Sequence, residues 1–133
     1  MIKKDHYRQQ HQMARDNMSA AKYDLEIDQG SSFSIAVTVS DEGGARNLSA
    51  YTPRAQMRPA VDSPDADKVD FTFDVTSMAS GIVVMQLAHD VSSEMQAGAY
   101  VYDLEIFTGT TGQETSVTRL MQGNVIINPE VTK

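Results

Sequence analysis

From residue 23 onward, apolar and polar side chains alternate with a period of two, the spacing of a strand with one buried and one wet face. Tyr23, Leu25 and Ile27 alternate with Asp24, Glu26 and Asp28, and Gly30 breaks the run. Phe33, Ile35, Val37 and Val39 then alternate with Ser34, Ala36, Thr38 and Ser40. Residues 41–44 (DEGG) predict a turn whose glycines are free to take positive φ. Leu48 and Tyr51 are expected to tuck beneath the layers as the chain crosses over. In the run 54–58 (RAQMR), Ala55 and Met57 point inward; Pro53 and Pro59 bracket it and predict a short strand at a sheet edge.

Residues 59–68 (PAVDSPDADK) read as a polar loop. Val69, Phe71, Phe73 and Val75 then alternate with Asp70, Thr72 and Asp74, residues 77–81 turn the chain, and Val83, Met85 and Leu87 alternate with Val84, Gln86 and Ala88. Asp90 is placed to cap one helical turn over 91–96, ended by Gly98. Tyr100, Tyr102, Leu104 and Ile106 face one way; Val101, Asp103, Glu105 and Phe107 face the other. Residues 108–113 form a hairpin loop, 115–121 return, and Gly123 marks a bulge before Val125, Ile126 and Ile127. Pro129 closes the sheet region.

Seven or eight short strands with turns between them predict an all-β fold, an immunoglobulin-like antiparallel β-sandwich. The Cys…Trp…Cys hallmark of true immunoglobulin domains is absent, so the expectation concerns architecture alone. The chain divides into an N-terminal arm, 1–22, and a sandwich domain, 23–133. The arm holds no Gly or Pro and is rich in Gln, Met, Ala and charge, which predicts a helix over about residues 5–20. Its apolar residues make no wide stripe, so it is either a frayed terminus or a segment that orders on a partner. The pentapeptide YDLEI occurs at 23–27 and again at 102–106, but the flanks differ, so it reads as one kind of strand written twice. Paired in register, the two runs would set carboxylate against carboxylate; they are expected in separate sheets, or offset.

With 133 residues and 41% hydrophobic side chains, one domain with its own core is expected. No apolar run approaches a membrane span, and the basic first residues lead into no apolar segment, so no membrane contact and no secretory signal are expected. The absence of cysteine rules out disulfides, thiolate metal sites and cysteine nucleophiles. The net charge of −7 is unevenly spread: residues 1–22 carry five basic and two acidic side chains, a net of +3, and residues 23–133 carry six basic and sixteen acidic, a net of −10. Such a body repels nucleic acid. The basic arm suits an anionic surface, and the nearest one is the body of a neighbouring copy.

Candidate chemistry is sparse. His6 and His11 are five apart, which does not put two ligands on one helix face, and His89 follows a strand; a zinc site would have to gather all three from distant places. His89 and Asp90 beside Ser92 and Ser93 look superficially like a triad, without a nucleophile elbow. Asp62, Asp65, Asp67 and Asp70 in the loop 62–70 offer hard oxygen ligands for calcium, but not in EF-hand order, and a solvated acidic loop is the favoured reading. Asp24, Glu26, Asp28, Asp103 and Glu105 are candidates for paired carboxylates acting on sugar; outward charges that keep sheets soluble are favoured. No Gly-rich phosphate loop is present. No catalytic, cofactor or metal residues are therefore assigned.

Several stretches carry a resemblance in their order: YDLEIDQGSSFSIAVTV from Tyr23, NLSAYTPRAQMR from Asn47, Gly98 to Ile106 with its G-x-Tyr-x-Tyr-Asp pattern, and RLMQGNVIINPEVTK from Arg119. Over residues 23–133 the chain resembles the immunoglobulin-like virion proteins of tailed phages, and is similar to the N-terminal domain of phage baseplate upper proteins. Ala50 stands where that family often has Gly. The resemblance implies a virion structural protein, not an enzyme, repeated by symmetry at the tail, baseplate or neck and assembled in the host cytoplasm. Other virion proteins are its expected partners, docked by the arm 1–22, in a symmetric multimer. Capsid decoration is an alternative within the class. A carbohydrate-binding module of the virion surface is another; it would need an exposed aromatic, for which Phe107 is the candidate.

Overall fold

The alternating segments pair into two main sheets and a small hairpin in a computed structural model, which describes residues 20–132. In chain order the strands are β1 (Ala21–Lys22), β2 (Leu25–Asp28), β3 (Phe33–Thr38), β4 (Ser40–Asp41), β5 (Gly44–Ala45), β6 (Thr52–Arg58), β7 (Val69–Asp70), β8 (Thr72–Asp74), β9 (Ile82–Leu87), β10 (Gly98–Thr110) and β11 (Gln113–Asn128). A short helix, α1 (His89–Ser93), and 3-10 turns at Asp65–Asp67 and Met78–Ser80 join them. The large sheet runs β1-β11-β10-β6-β7 with β2 also on β11; the small sheet runs β3-β9-β8; β4 pairs with β5.

The inward alternation predicted from the sequence builds one core between the two sheets. Leu25, Ile27, Ala55, Met57, Leu104, Ile106, Val125 and Ile127 come from the large sheet, and Ile35, Val37, Val83, Met85 and Leu87 from the small one. Each fully buried Val, Leu, Ile or Met side chain among them contributes about 1.5–3 kcal/mol. Leu48 lies wholly inside, as expected, and Met78 joins the core from its 3-10 turn.

The chain crosses between sheets within one alternating run. The Phe71 amide donates to the Ala55 carbonyl at 3.0 Å, the last link to β6, and the next residue begins β8 on β9. The buried Phe71 ring meets Tyr102 edge-on, with centroids 6.4 Å apart. Val75, read as inward, lies past the end of β8 and is 55% exposed.

The large sheet is mixed rather than antiparallel. β1 and β2 both run parallel to β11, with Ala21 opposite Met121 and Leu25 opposite Val125. Alternation specifies faces, and both pairing directions share it. The two YDLEI runs lie in the same sheet, not in separate ones, but β11 stands between β2 and β10, so their carboxylates do not meet across a ladder.

Gly123 is not the bulge. Leu104 faces Met121 and Glu105 faces Arg119, so the extra residue is Leu120, and Leu120 and Met121 are both buried. Gly123 sits opposite Tyr102, where a Cβ would collide with the Tyr23 carbonyl oxygen. The missing side chain lets the β1–β2 junction pass close, and the Tyr102 hydroxyl donates to that carbonyl at 2.6 Å.

Three further boundaries shift. Asp90 lies inside the first turn of α1; Ala88 is the cap residue and makes no side-chain cap bond, and Gly98 opens β10 instead of closing the helix. β6 is seven residues long and contains Pro53, tolerated because β7 pairs only at Gln56 and Met57 and leaves the other half an edge. Strands β10 and β11, of 13 and 16 residues, form one long hairpin; pairing with β6 stops at Phe107, so the hairpin tip projects beyond the sheet. Residues 5–19 of the helix expected over 5–20 lie outside the described residues, and the last two residues of the arm as read from sequence, Ala21 and Lys22, form β1.

Candidate functional site

The outer face of the large sheet gathers most of the described cations. Strand register sets Arg54, Glu105 and Arg119 abreast; beside them lie Gln56, Asp103, Gln122 and Lys22, then Arg58, Val101 and Asn124. Arg54 is the hinge of the first row. Its Nε donates to Glu105 at 2.9 Å and its Nη1 to Glu114 at 2.8 Å, while its guanidinium lies 4.6 Å from the centre of the Phe107 ring. Arg119 reaches Asp103 at 3.6 Å and Glu105 at 3.7 Å. Cross-strand pairs of opposite charge contribute about 0.2–1 kcal/mol each.

These contacts set the titration of the row. The hydrogen bond from Arg54, with further bonds from backbone amides, holds Glu114 down at about 2. The same bond, donated to Glu114, then that donated to Glu105, raises Arg54. Burial, then the nearby Glu105, pushes Asp103 up against the pull of Arg119. Asp103 lies in an open hollow of about 420 Å³, bordered by Lys22, Arg58, Val61, Arg119 and Asn124.

Phe107 is not an exposed platform. It is 3% exposed, packed beneath Arg54 on the face away from the core. Alternation placed it outward correctly; the cover comes from a residue on β6, which local sequence does not reveal.

The remaining candidates fall into structural roles. At the edge of the large sheet, Asp24 accepts the Asn124 amide at 2.9 Å, and the Asn128 side chain donates to Glu26 at 3.3 Å and Asp28 at 3.0 Å. In the acidic loop, Asp65 accepts from Arg58 at 2.9 Å, which lowers its pKa, and Asp70 pairs with Lys68 at 3.4 Å. Asp62 and Asp67 are exposed. Among the described residues, no group of three or more His, Asp or Glu is arranged to hold a metal. His89 is exposed, and His6 and His11 lie outside the described residues. Ser92 is fully buried and donates to backbone carbonyls of Ser31 and His89, while Ser93 donates to the Asp90 carbonyl; neither hydroxyl is bonded to an imidazole.

Sequence reasoning missed a clasp centred on Gln29. Its side-chain amide donates to the Met95 carbonyl at 2.7 Å and accepts the Glu130 amide at 2.9 Å. Gly30, at φ 83°, donates its amide to the buried Ser92 hydroxyl at 3.0 Å. The turn after β2, α1 and the C-terminal segment are thereby tied together. The only local signal was the Gln-Gly pair at the strand break.

Fold and surface together define an all-β domain of two facing sheets, with its ionic groups spread as ladders over the outer face and edges of the larger one. No family model and no curated protein matches the chain. Among solved structures, the N-terminal domain of phage TP901-1 ORF48 is similar over 84% of this chain and 99% of that one, at 13% identity and a TM-score of 0.47, so a phage protein domain stands among its structural neighbours. The Listeria monocytogenes internalin-like protein lmo2027 is similar over 84% of this chain, at 13% identity and a TM-score of 0.35; the present chain spans 28% of that one.

Proposed function

We propose that this protein is a structural component of a tailed-phage virion, an immunoglobulin-like sandwich in the tail, baseplate or neck that acts through protein–protein contacts and catalyses no reaction. One observation carries the reading: the stretches bearing the resemblance to phage baseplate upper proteins fasten to one another in space. Gln29 of the first stretch bonds Glu130 of the last, Asp24 of the first accepts the Asn124 amide of the last, and Tyr102 of the third bonds Tyr23 of the first. The resemblance thus follows the residues that close the fold. The candidate acid groups support it in a second way, since those with partners serve ladders and turns. A carbohydrate-binding reading loses its aromatic platform with Phe107 beneath Arg54.

In this reading the basic arm docks on acidic surfaces of other virion proteins, and symmetry multiplies weak contacts into firm attachment. Because Ala21 belongs to the sheet, the test removes residues 1–19 alone. The truncated chain is expected to keep its β-type circular dichroism and to be missing from particles made in a complementation experiment. Normal incorporation of the truncated chain would end the docking role of the arm.

A further inference from the structure

We propose that β3 is a docking edge through which two copies of this chain join their small sheets, antiparallel across a two-fold axis. β3 is the outermost strand of its sheet: β9 lies on one side, and no described strand lies on the other. The Val39 amide donates to the Gly81 carbonyl at 2.8 Å, in the register that sets Phe33 opposite Leu87 and Val37 opposite Val83. Backbone groups alternate sides along an antiparallel strand. The amides and carbonyls of Phe33, Ile35 and Val37 therefore face β9, and those of Ser34 and Ala36 face away from the sheet. Both of these residues are partly exposed. An unpaired edge of this kind is a template for another strand.

Charge sets this edge apart from those of β2, β7 and β8, and points to its occupant. β2 carries Glu26 and Asp28, β7 carries Asp70, and β8 carries Asp74. A second copy set against any of these would bring carboxylates together. β3 reads FSIAVT, with no charge, no proline and no bulge. Laid antiparallel on itself it brings Ser, Ala and Thr side by side on one face and Phe, Ile and Val on the other, with no charge on either, and an isologous two-fold contact requires such self-complementarity. The net of −10 on residues 23–133 opposes the approach of two bodies, so added salt strengthens this contact by screening. A contact between the basic arm and an acidic surface would respond in the opposite sense.

Sedimentation equilibrium of the full 133-residue chain at low and high salt tests the proposal. The expected result is a monomer–dimer equilibrium that tightens with salt. Ala36→Pro removes an outward amide hydrogen without touching the ladder to β9, and Ser34→Lys places a charge on the edge. Each should weaken the dimer about tenfold or more, with circular dichroism unchanged. If Ala36→Pro fails to fold, Ser34→Lys decides alone. A chain that stays monomeric into the millimolar range at both salts, a dimer that salt weakens, or a dimer that folded variants leave intact would each overturn the proposal. Any of these results leaves the virion reading standing, because that reading is tested by incorporation into particles.

Discussion

At the residue scale the outer face of the large sheet turns on Arg54, which covers Phe107 and bonds Glu105 and Glu114 at once. Glu114 is held at about 2, below its ordinary 4.5, chiefly by Arg54. A carboxylate with a lowered folded pKa adds stability above its unfolded value, and that stability fades as pH falls through the folded one. The clamp is therefore present above pH 4.5 and lost toward pH 2. In Arg54→Ala, a carbon-detected NMR titration should show the Glu114 midpoint climbing most of the way to its ordinary value; an unmoved midpoint would assign the shift to the backbone amides of Gly112 and Glu114. Asp103 has the opposite sign: its pKa is raised by burial, so its contribution is full below its unfolded value and is lost as pH rises through the folded one. Tyr102→Phe deletes the bond to the Tyr23 carbonyl and should cost about 1 kcal/mol in urea unfolding. No measurable change would mean that water replaces that bond.

At the element scale, the period-two pattern located most strands and most of the core, because burial of one face acts on every second residue whichever strand lies alongside. Direction and neighbour were not legible. The parallel pairing of β1 and β2 with β11 depends on Gly123, which local pattern offers equally as a bulge or as a close approach. The division of residues 69–74 between two sheets left no mark in the alternation, since Phe71, between the two strands, stays buried and keeps the period. The surface was legible in part: outward carboxylates were identified, but not their partners, because Arg54, Glu105 and Glu114 come from three strands. Gly123→Ala should push the β1–β2 junction off β11 and destabilise the fold by about 1–3 kcal/mol, the usual cost of overpacking. Hydrogen exchange should show the loss first at the Tyr23 amide, which bonds the Gln122 carbonyl at 2.8 Å. Uniform protection equal to the wild type would remove the close-approach account of this glycine.

At the scale of the whole molecule, the two-layer body is acidic and the arm basic, with the change of sign falling where the sheet begins. The Gln29 clasp and the Tyr102 bond close the body on itself and leave its edges and outer faces for contact. The proposed role is attachment by many such contacts in a symmetric particle, and its most direct test is a census of the particle. Quantitative mass spectrometry of density-purified virions should find this chain in a fixed, simple ratio to the other structural proteins, retained through a high-density salt gradient. Its absence from those particles, or a trace amount that varies between preparations, would contradict the account.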